Sequence, residues 1–551
     1  MEAKDEASAG GRQSGTLYYG DCLDVMRGLP DEVADLIYLD PPFSSNRDYN
    51  VFFQGENKDE SAQVTAFEDT WTWGEQSERE YQEIYRATDT ANIATLLGSL
   101  RDFLGENDLM AYLVMMSSRL VEIKRLLKKT GTLYLHCDST ASHYLKLLLD
   151  GLFGVSNYKN EIIWKRSTPK GNNKINFPTA HDVILRYTKS DKFTFNRQFT
   201  EYEEGKAEKF YSLKDPDGRR YQLTSLLNPN KNRPNLTYEF LGVTRVWRWT
   251  KERMQEAYEA GRVIQTKAGG VPRYKRYLDE MPGVPVMDVW TDILPLQGSQ
   301  QEYLGYPTQK PLVLLERIIK ASSNRGDVVL DPFCGCGTAV HAAEKLGRRW
   351  IGIDITHLAI SLISRRMHAA FPECVFSVEG TPKDIASARY LAEHNGLNGR
   401  YQFQYWVLGV VDAQISNDQK KGADGGSDGV IFAWDSPNAK KPFKINISVK
   451  SGAIPPNHIR ELAGMLDKKD VKICVLLTLN DPSKKMRADA IAEGFYEYPT
   501  GQKFPRIQIL TVQDLFDGKR PQYLDYYPDR AKMKKPVEER RIKYKEHSLF
   551  S

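Results

Sequence analysis

Dense, short apolar runs alternate along this chain with stretches in which hydrophobic residues recur every three or four positions. Four of the runs, Asp35–Leu39, Thr132–Leu135, Val328–Leu330 and Trp350–Ile353, carry β-branched or aromatic residues without polar alternation, as strands buried on both faces do. Helical spacing fills Leu109–Leu127 and Leu312–Ala321, and Thr338–Leu346 reads as a helix that Gly347 closes at its C-cap. Strands alternating with helices predict an α/β protein with a doubly wound sheet.

The pattern fades between residues 166 and 300. This stretch is rich in Asn, Pro, Gly, Lys, Arg and aromatic residues, with turn signals at Asn172–Asn176, Asn228–Asn235 and Gly269–Pro272. It reads as an insert between two halves of the sheet, 16–165 and 301–380. A second break falls near Gly380–Arg400, and a fresh alternation of strands and helices then runs through 401–520, a second and smaller α/β domain. Residues 1–15 and 521–551 read as tails, and no internal repeat is present.

Composition narrows the classes. Of 551 residues, 41% are hydrophobic and 27% charged, values ordinary for a globular protein in water. No apolar run approaches the ~20 residues that span a bilayer. Met1–Gly15 is polar, with no apolar segment of the signal-peptide kind, so a cytoplasmic location without a membrane is expected. Six scattered cysteines read as reduced thiols. Cys334 and Cys336 lack a second Cys/His pair at zinc-site spacing, so they read as small residues in a glycine turn. Charge is uneven: Lys165–Trp290 holds 24 Lys+Arg against 15 Asp+Glu, a net of +9, leaving −5 for the rest of a chain whose total is +4. A basic insert on an acidic body suits a polyanion, although a solvated, loop-rich surface has the same composition.

Two segments carry the chemistry. Asp40-Pro41-Pro42-Phe43 directly follows the run Leu36–Leu39, and ligand sites in open α/β sheets lie beyond the carboxyl ends of strands. Consecutive prolines remove two backbone donors and leave their carbonyls free to accept. An acceptor side chain, an acceptor carbonyl and an aromatic face suit an amino group on a flat ring. Taken alone, Asp-Pro-Pro equally suits a β-turn that ends a strand. The second segment, Asp331-Pro332-Phe333-Cys334-Gly335-Cys336-Gly337-Thr338, lies between a strand and a helix. Gly335 and Gly337 permit close backbone approach to a ligand, and Asp354 ends the next strand, where a carboxylate can hold ribose hydroxyls. A ribose-bearing cofactor follows, and the spacing is not the G-x-G-x-x-G of nicotinamide enzymes.

Together these segments resemble the amino-methyltransferases of DNA, in the group whose Asp-Pro-Pro-aromatic motif precedes the cofactor motif. The resemblance spans Thr16 to Glu379 and includes Gly20-Asp21-Cys22, Thr308-Gln309-Lys310-Pro311 and Gly352-Ile353-Asp354. It implies S-adenosylmethionine as cofactor, double-stranded DNA as partner and target recognition by the insert. It also implies that Asp40, Pro41, Pro42 and Phe43 act on the base. Asp21, with its neighbour Cys22, would meet the cofactor's adenine; Asp331, Phe333, Gly335 and Gly337 would shape its pocket; Asp354 would hold the ribose. Thr308 and Lys310 would lie near the methionine carboxylate. Trp164 matches a family position near the target base, but a lone Trp after Ile162-Ile163 equally suits a core. Cys336 departs from the small hydroxyl residue more often found there.

The implied reaction methylates an exocyclic amine. Accepting both N–H protons, through Asp40 and the Pro41 carbonyl, frees a lone pair otherwise delocalised into the ring. In-line placement of the methyl group then supplies the proximity term, and the base must flip out of the duplex. Lys170, Lys174, Arg219, Arg220, Lys231 and Arg233 are candidate phosphate contacts. Asp at position 40 favours adenine N6. Cytosine N4 enzymes of the family more often carry Ser there, so cytosine N4 is the alternative.

The segment Asp424-Gly425-Gly426-Ser427-Asp428-Gly429, with the run Lys444–Lys450, resembles the restriction-endonuclease-like fold of the Mrr kind. That resemblance implies a site of Asp428, Ser448 and Lys450, with Mg²⁺ on Asp428 if the domain is an active nuclease. Ser448 stands where a carboxylate is usual, and a hydroxyl is a poor ligand for a hard cation. A fused methyltransferase–endonuclease is therefore a further alternative, with a homodimer or a restriction subunit as candidate partners. No phosphate-binding Gly-x-x-x-x-Gly-Lys-(Ser/Thr) occurs.

Overall fold

The apolar runs enter one nine-stranded sheet in the computed structural model. In chain order the strands are β1 (Gly15–Tyr19), β2 (Ala34–Leu39), β3 (Leu127–Cys137), β4 (Tyr158–Lys165), β5 (His181–Thr188), β6 (Val289–Trp290), β7 (Val328–Asp331), β8 (Arg349–Asp354) and β9 (Phe376–Glu379). Their spatial order is β6-β4-β5-β3-β2-β7-β8-β1-β9. From β9 to β3 all pairings are parallel, and β5 runs antiparallel between β3 and β4. Residues 13–526 are described, less 43–46, 55–60, 70–71, 87–90, 168–176, 203–204, 298–299, 301, 305, 307, 395, 416–426, 440 and 467–469. Phe43, Lys170, Lys174, Asp424–Gly426 and most of both expected tails therefore lie outside the described residues.

Helices cover the sheet as the periodicity predicts. They include α1 (Cys22–Arg27), α2 (Asp108–Leu126), α3 (Leu312–Ser322), α4 (Thr338–Lys345) and α5 (His357–Ala370). The core joins Ile37, Leu39, Leu133 and Leu135 of the strands to Met110, Leu113, Leu120 and Ile123 of α2. Burying such side chains contributes roughly 1.5–3 kcal/mol each. Gly347 follows α4 at φ 69°, a conformation glycine adopts without penalty. Four neighbouring strands, β2, β7, β8 and β1, deliver Asp40, Asp331, Asp354 and Gly20-Asp21 to one edge. Parallel strands put those carboxyl ends side by side, at the crevice where such sheets bind ligands.

The expected insert is narrower in space than in composition. Arg197–Met287 forms a separate compact unit, whereas β5 and β6, inside the expected 166–300, belong to the main sheet. The Val-Ile-Leu run at 183–185 is a strand signal that the basic composition around it overshadowed. Within the unit, Arg220–Ser225 and Arg273–Tyr277 pair antiparallel. A hairpin of Thr237–Phe240 and Val243–Val246 packs around Phe240, Val243, Trp247 and Met254.

Past β9, helix α6 (Gly396–Val410) leads into a second sheet of β10 (Gln414–Ile415), β11 (Gly429–Ala433), β12 (Phe443–Lys450), β13 (Val471–Thr478) and β14 (Ile507–Thr511), ordered as numbered. Phe403, Val407 and Leu408 of α6 share a hydrophobic core with Tyr306, Cys336 and Leu358. The second domain thus packs under the glycine turn. Residues 521–526, expected as tail, are docked: Gln522 N–H donates to the Gln508 side chain at 2.7 Å, and Trp434 N–H to Asp525 at 3.0 Å.

Candidate active site at the carboxyl edge of the sheet

Asp40 leaves the end of β2, with Pro41 buried behind it. Its partner comes from the far end of the sequence: Lys310 Nζ donates to Asp40 Oδ1 at 2.7 Å and is also within reach of Oδ2. Lys310 is buried, and a buried ammonium needs such a counter-charge. Nζ also donates to the Thr308 carbonyl at 3.2 Å. Thr308 has φ 59°, a left-handed conformation that costs a β-branched residue of order 1–3 kcal/mol. The turn is held by Gln309, whose Oε1 accepts from Leu304 N–H at 2.8 Å and whose Nε2 donates to the Glu302 carbonyl at 2.7 Å. Lys310, expected beside a methionine carboxylate, is thus tied to Asp40.

The glycine turn follows β7. Asp331 is buried and accepts from Phe333 N–H at 3.0 Å. Burial pushes its carboxyl well above the usual range, with the charges of Asp40 and Asp354 adding and Lys310 opposing. Gly335 and Gly337 have φ of 50° and 75°. A Cβ on Gly335 would stand 3.2 Å from the Tyr306 ring, and one on Gly337 2.8 Å from Ile363, so both need glycine. Gly335 N–H donates to Asp354 Oδ2 at 2.9 Å, while Asp354 Oδ1 accepts from Thr356 N–H at 2.9 Å and its hydroxyl at 2.8 Å. Burial raises the Asp354 carboxyl to about 6, these hydrogen bonds opposing.

Asp21 caps α1, accepting from Leu23 N–H at 2.7 Å, and forms an ion pair with buried Arg119 at 3.0 Å. Arg119 also reaches Glu80 at 3.3 Å. Asp21 therefore already accepts from donors of the protein itself. Beside it Cys22 is buried, its thiol pushed up to about 11 mainly by burial.

Sequence reasoning missed three contributors. Arg366 of α5 is buried and donates to the Cys336 carbonyl at 3.0 Å, fixing the turn from beneath. Tyr306 packs against Gly335. Ile355 is 56% exposed immediately after Asp354, an apolar face at the rim of a polar crevice. Only its position after the strand-end Asp signalled it. Trp164 takes its core reading: it is buried, and its indole donates to the Ile293 carbonyl at 3.0 Å.

Within the unit Arg197–Met287, the candidate phosphate contacts divide. Arg219 pairs with Asp279 and Glu280, both at 2.8 Å, and Arg220 with Glu208 at 3.3 Å. Lys231 and Arg233 are exposed in a loop braced by consecutive Asn turns, Asn230 N–H to Asn228 Oδ1 and Asn232 N–H to Asn230 Oδ1.

In the second domain, Asp428 Oδ2 accepts from Val449 N–H at 2.6 Å and the Ser448 hydroxyl at 3.2 Å, and Oδ1 accepts from Gln404 Nε2 at 3.1 Å. Lys450 Nζ lies 3.8 Å away. Burial raises the Asp428 carboxyl, against the charge of Lys450. Among the described residues no group of three or more His, Cys, Asp or Glu side chains could hold a metal ion. No helix among them is long and apolar enough to cross a membrane.

Known proteins carry both halves of this arrangement. A family model described as DNA methylase matches residues 34–365, and one described as restriction endonuclease matches residues 400–512. Type II methyltransferase M.EcaI of Enterobacter cloacae is 32% identical over 260 residues, 46% of this chain and 57% of its own. The StyLTI Mod subunit, a type III restriction-modification enzyme of Salmonella typhimurium, is 27% identical over 344 residues, 59% of this chain and 49% of its own. DNA adenine methyltransferase YhdJ of Escherichia coli is 23% identical over 371 residues, 67% of this chain and 88% of its own. This chain spans about half the length of the first two. Among solved structures, the cytosine-N4-specific PvuII DNA methyltransferase is 12% identical, with 72% of this chain and 93% of that one covered and a TM-score of 0.33.

Proposed function

Because the chain belongs to the DNA methylase family, we propose that it transfers a methyl group from S-adenosylmethionine to an exocyclic amine in double-stranded DNA, and that the amine is adenine N6. One observation carries this reading: Asp40, held by Lys310, stands at the same sheet edge as the glycine turn whose Gly335 N–H meets Asp354. An acceptor for an amine lies beside a cradle for a ribose-bearing molecule.

The donor set suits that cofactor. The Asp354 carboxylate keeps acceptor capacity for ribose hydroxyls, exposed Ile355 offers an apolar face to an adenine, and the bare Gly335 and Gly337 backbone admits close approach. When bound, the cofactor would supply an electrophilic methyl on a sulfonium centre. Asp40 and the Pro41 carbonyl would accept the two N–H groups of the amine and localise its lone pair, and Asp40 would take the proton that the nitrogen loses on methylation. Lys310 orients Asp40 through a charge-assisted hydrogen bond.

Adenine is supported by the Asp at position 40 and by the adenine enzyme YhdJ among the relatives. Cytosine N4 is the competing base. Lys231 and Arg233, exposed and, among the described residues, without carboxylate partners such as those of Arg219 and Arg220, are the phosphate contacts we favour. A second reading, DNA cleavage by residues 400–512 in a restriction-modification system in the cytoplasm, rests on the endonuclease match and the Asp428–Lys450 pair. A restriction subunit would be the partner there, as a Mod subunit is among the relatives.

The test incubates mixed-sequence plasmid with S-adenosylmethionine and Mg²⁺ and identifies modified nucleosides by mass, for the wild type and Asp40→Ala. N6-methyladenine that disappears in the variant is expected. N4-methylcytosine overturns the base, and no modified base on any DNA overturns the transfer. The same samples on a gel, with Lys450→Ala alongside, decide the cleavage reading.

A further inference from the structure

Asp21 is held by more than a helix cap needs. It leaves β1 directly after Gly20, whose N–H donates to the Asp354 carbonyl at 3.0 Å. Tyr19 is in register with Asp354, so the two carboxylates stand at adjacent strand ends. Capping α1 uses one donor, Leu23 N–H to Oδ1 at 2.7 Å. Arg119 of α2 adds more: its Nη2 donates to Oδ1 at 3.2 Å and to Oδ2 at 3.0 Å.

The guanidinium is itself fixed. Arg119 Nη1 donates to the Met115 carbonyl at 3.0 Å and to Glu80 Oε2 at 3.3 Å. Glu80, on the helix Glu75–Arg86, also accepts from the Ser118 hydroxyl at 3.0 Å and from the Gln76 amide at 3.2 Å. The side chains of Arg119 and Glu80 are 5% and 11% exposed, whereas that of Asp21 is 34% exposed. An N-cap requires no such partner, and a guanidinium taken out of water is costly unless its carboxylates are well placed.

A carboxylate offers about four acceptor positions. Among the described residues, Leu23 and Arg119 meet Oδ1, while Arg119 alone meets Oδ2. One position therefore remains on Oδ2, on the most open side chain of the three. A position that only accepts suits an amino group and opposes an oxo group, which also accepts.

We propose that Arg119 is a positioning residue for cofactor recognition: held by Glu80, it occupies Oδ1 and turns the remaining acceptor position of Oδ2 toward the cofactor's base, so that a 6-amino purine is selected over a 6-oxo one. The proposal rests on the reading of Asp21 as the residue that meets the cofactor's adenine. It adds the group that makes that contact selective, and no bond is made or broken.

Calorimetry on the full chain with S-adenosylhomocysteine and S-inosylhomocysteine, in which an oxo group replaces the 6-amino group, tests this. The wild type should prefer the amino compound about thirtyfold or more, as a site built for an N–H rejects the analogue that lacks it. Lysine is a point charge without the planar fork, so Arg119→Lys should lower the preference to about threefold. It should also raise KM for S-adenosylmethionine about tenfold, with a smaller effect on kcat. A merely structural role predicts a lower Tm with the preference intact, and that outcome overturns the proposal. Asp21→Asn tells the two readings apart. Preference lost there but kept in Arg119→Lys removes Arg119 and leaves Asp21 as the adenine contact; preference kept in both removes both. The double variant should be no less selective than Asp21→Asn alone, and a further drop overturns action through Asp21. Should Arg119→Lys fail to fold, Glu80→Gln loosens the guanidinium with little change of shape. The preference must then fall at least about threefold, and an unchanged value overturns the proposal. A wild type that binds neither compound overturns the cofactor reading with it.

Discussion

Two aspartate–lysine pairs at strand ends, Asp40–Lys310 and Asp428–Lys450, differ in what surrounds them. Asp40 and Lys310 come together from positions 270 residues apart, 2.7 Å between charged atoms, with Asp331 and Asp354 on the neighbouring strands. Asp428 and Lys450 lie 3.8 Å apart within one small sheet. There the carboxylate accepts from the protein's own donors, Val449 N–H, the Ser448 hydroxyl and the Gln404 amide. A site must keep acceptor capacity for its ligand. Among the described residues one side chain, Lys310, donates to Asp40, against three groups that donate to Asp428.

The largest expected effect separates the two carboxylates by readout. Asp40→Ala should lower methyl transfer about 10³-fold, since a site group contributes to transition-state binding, and it should also cost stability, because Lys310 is left buried without its counter-charge. Asp428→Ala should leave methyl transfer within about twofold. Three donors lose their acceptor there, and stability should fall by about 2 kcal/mol, read by urea denaturation. A comparable loss of methyl transfer in both variants would erase the distinction.

How much of this was readable differs between the halves for the same physical reason. Asp40, Asp331, Gly335, Gly337 and Asp354 were legible because each follows a strand end in a local pattern, and parallel strands bring such ends together. The Lys310–Asp40 pair was not, because only folding brings those positions together. Tyr306 and Arg366 hold the turn through packing and one carbonyl contact, which leave no spacing signature. Gln404 was missed for a related reason: it reaches Asp428 from a helix 24 residues upstream. The insert was overdrawn because composition marks a surface, while the sheet takes up β5 and β6 on backbone pairing.

A smaller effect, about tenfold, comes from Asp354. Its carboxyl is raised to about 6 by burial, so it is largely protonated at about pH 5 and loses acceptor capacity for a ribose. Affinity for S-adenosylmethionine, measured by calorimetry, should rise between about pH 5 and about pH 7.5 with a midpoint near 6. Asp354→Asn should flatten that rise. The sign for stability is opposite. Between the unfolded value of about 4 and the folded value the native state binds more protons, so this group makes the protein less stable as pH rises. If affinity falls with pH instead, Asp354 is not the ribose acceptor.

Smaller again is the effect of restoring a carboxylate to the second site. Ser448 is buried, 3.2 Å from Asp428. Ser448→Asp would set two carboxyl groups together and should cost roughly 1–3 kcal/mol without metal. Mg²⁺ should recover most of that loss, because paired carboxylates suit a hard cation. A Tm shift with Mg²⁺ in the variant and none in the wild type is expected. The same shift in the wild type would show that Asp428 binds the cation without a second carboxylate, and the two aspartate–lysine pairs would then be alike in that respect.

The least effect belongs to the first site's own departure from pattern, Cys336. Its side chain is buried, with Sγ 3.5 Å from the Thr338 hydroxyl, and its carbonyl accepts from Arg366 whatever the side chain is. Cys336→Ser keeps a donor beside Thr338 and removes little volume, so stability should change by less than about 1 kcal/mol and transfer by less than about twofold. The two departures are unequal in kind: Ser448 lacks the charge that favours a hard cation, whereas Cys336 differs from serine chiefly in size and polarity at a position where the backbone does the holding. A tenfold loss of transfer in Cys336→Ser would mean that the thiol's packing against the core shared with Tyr306 and Leu358 sets the shape of the glycine turn.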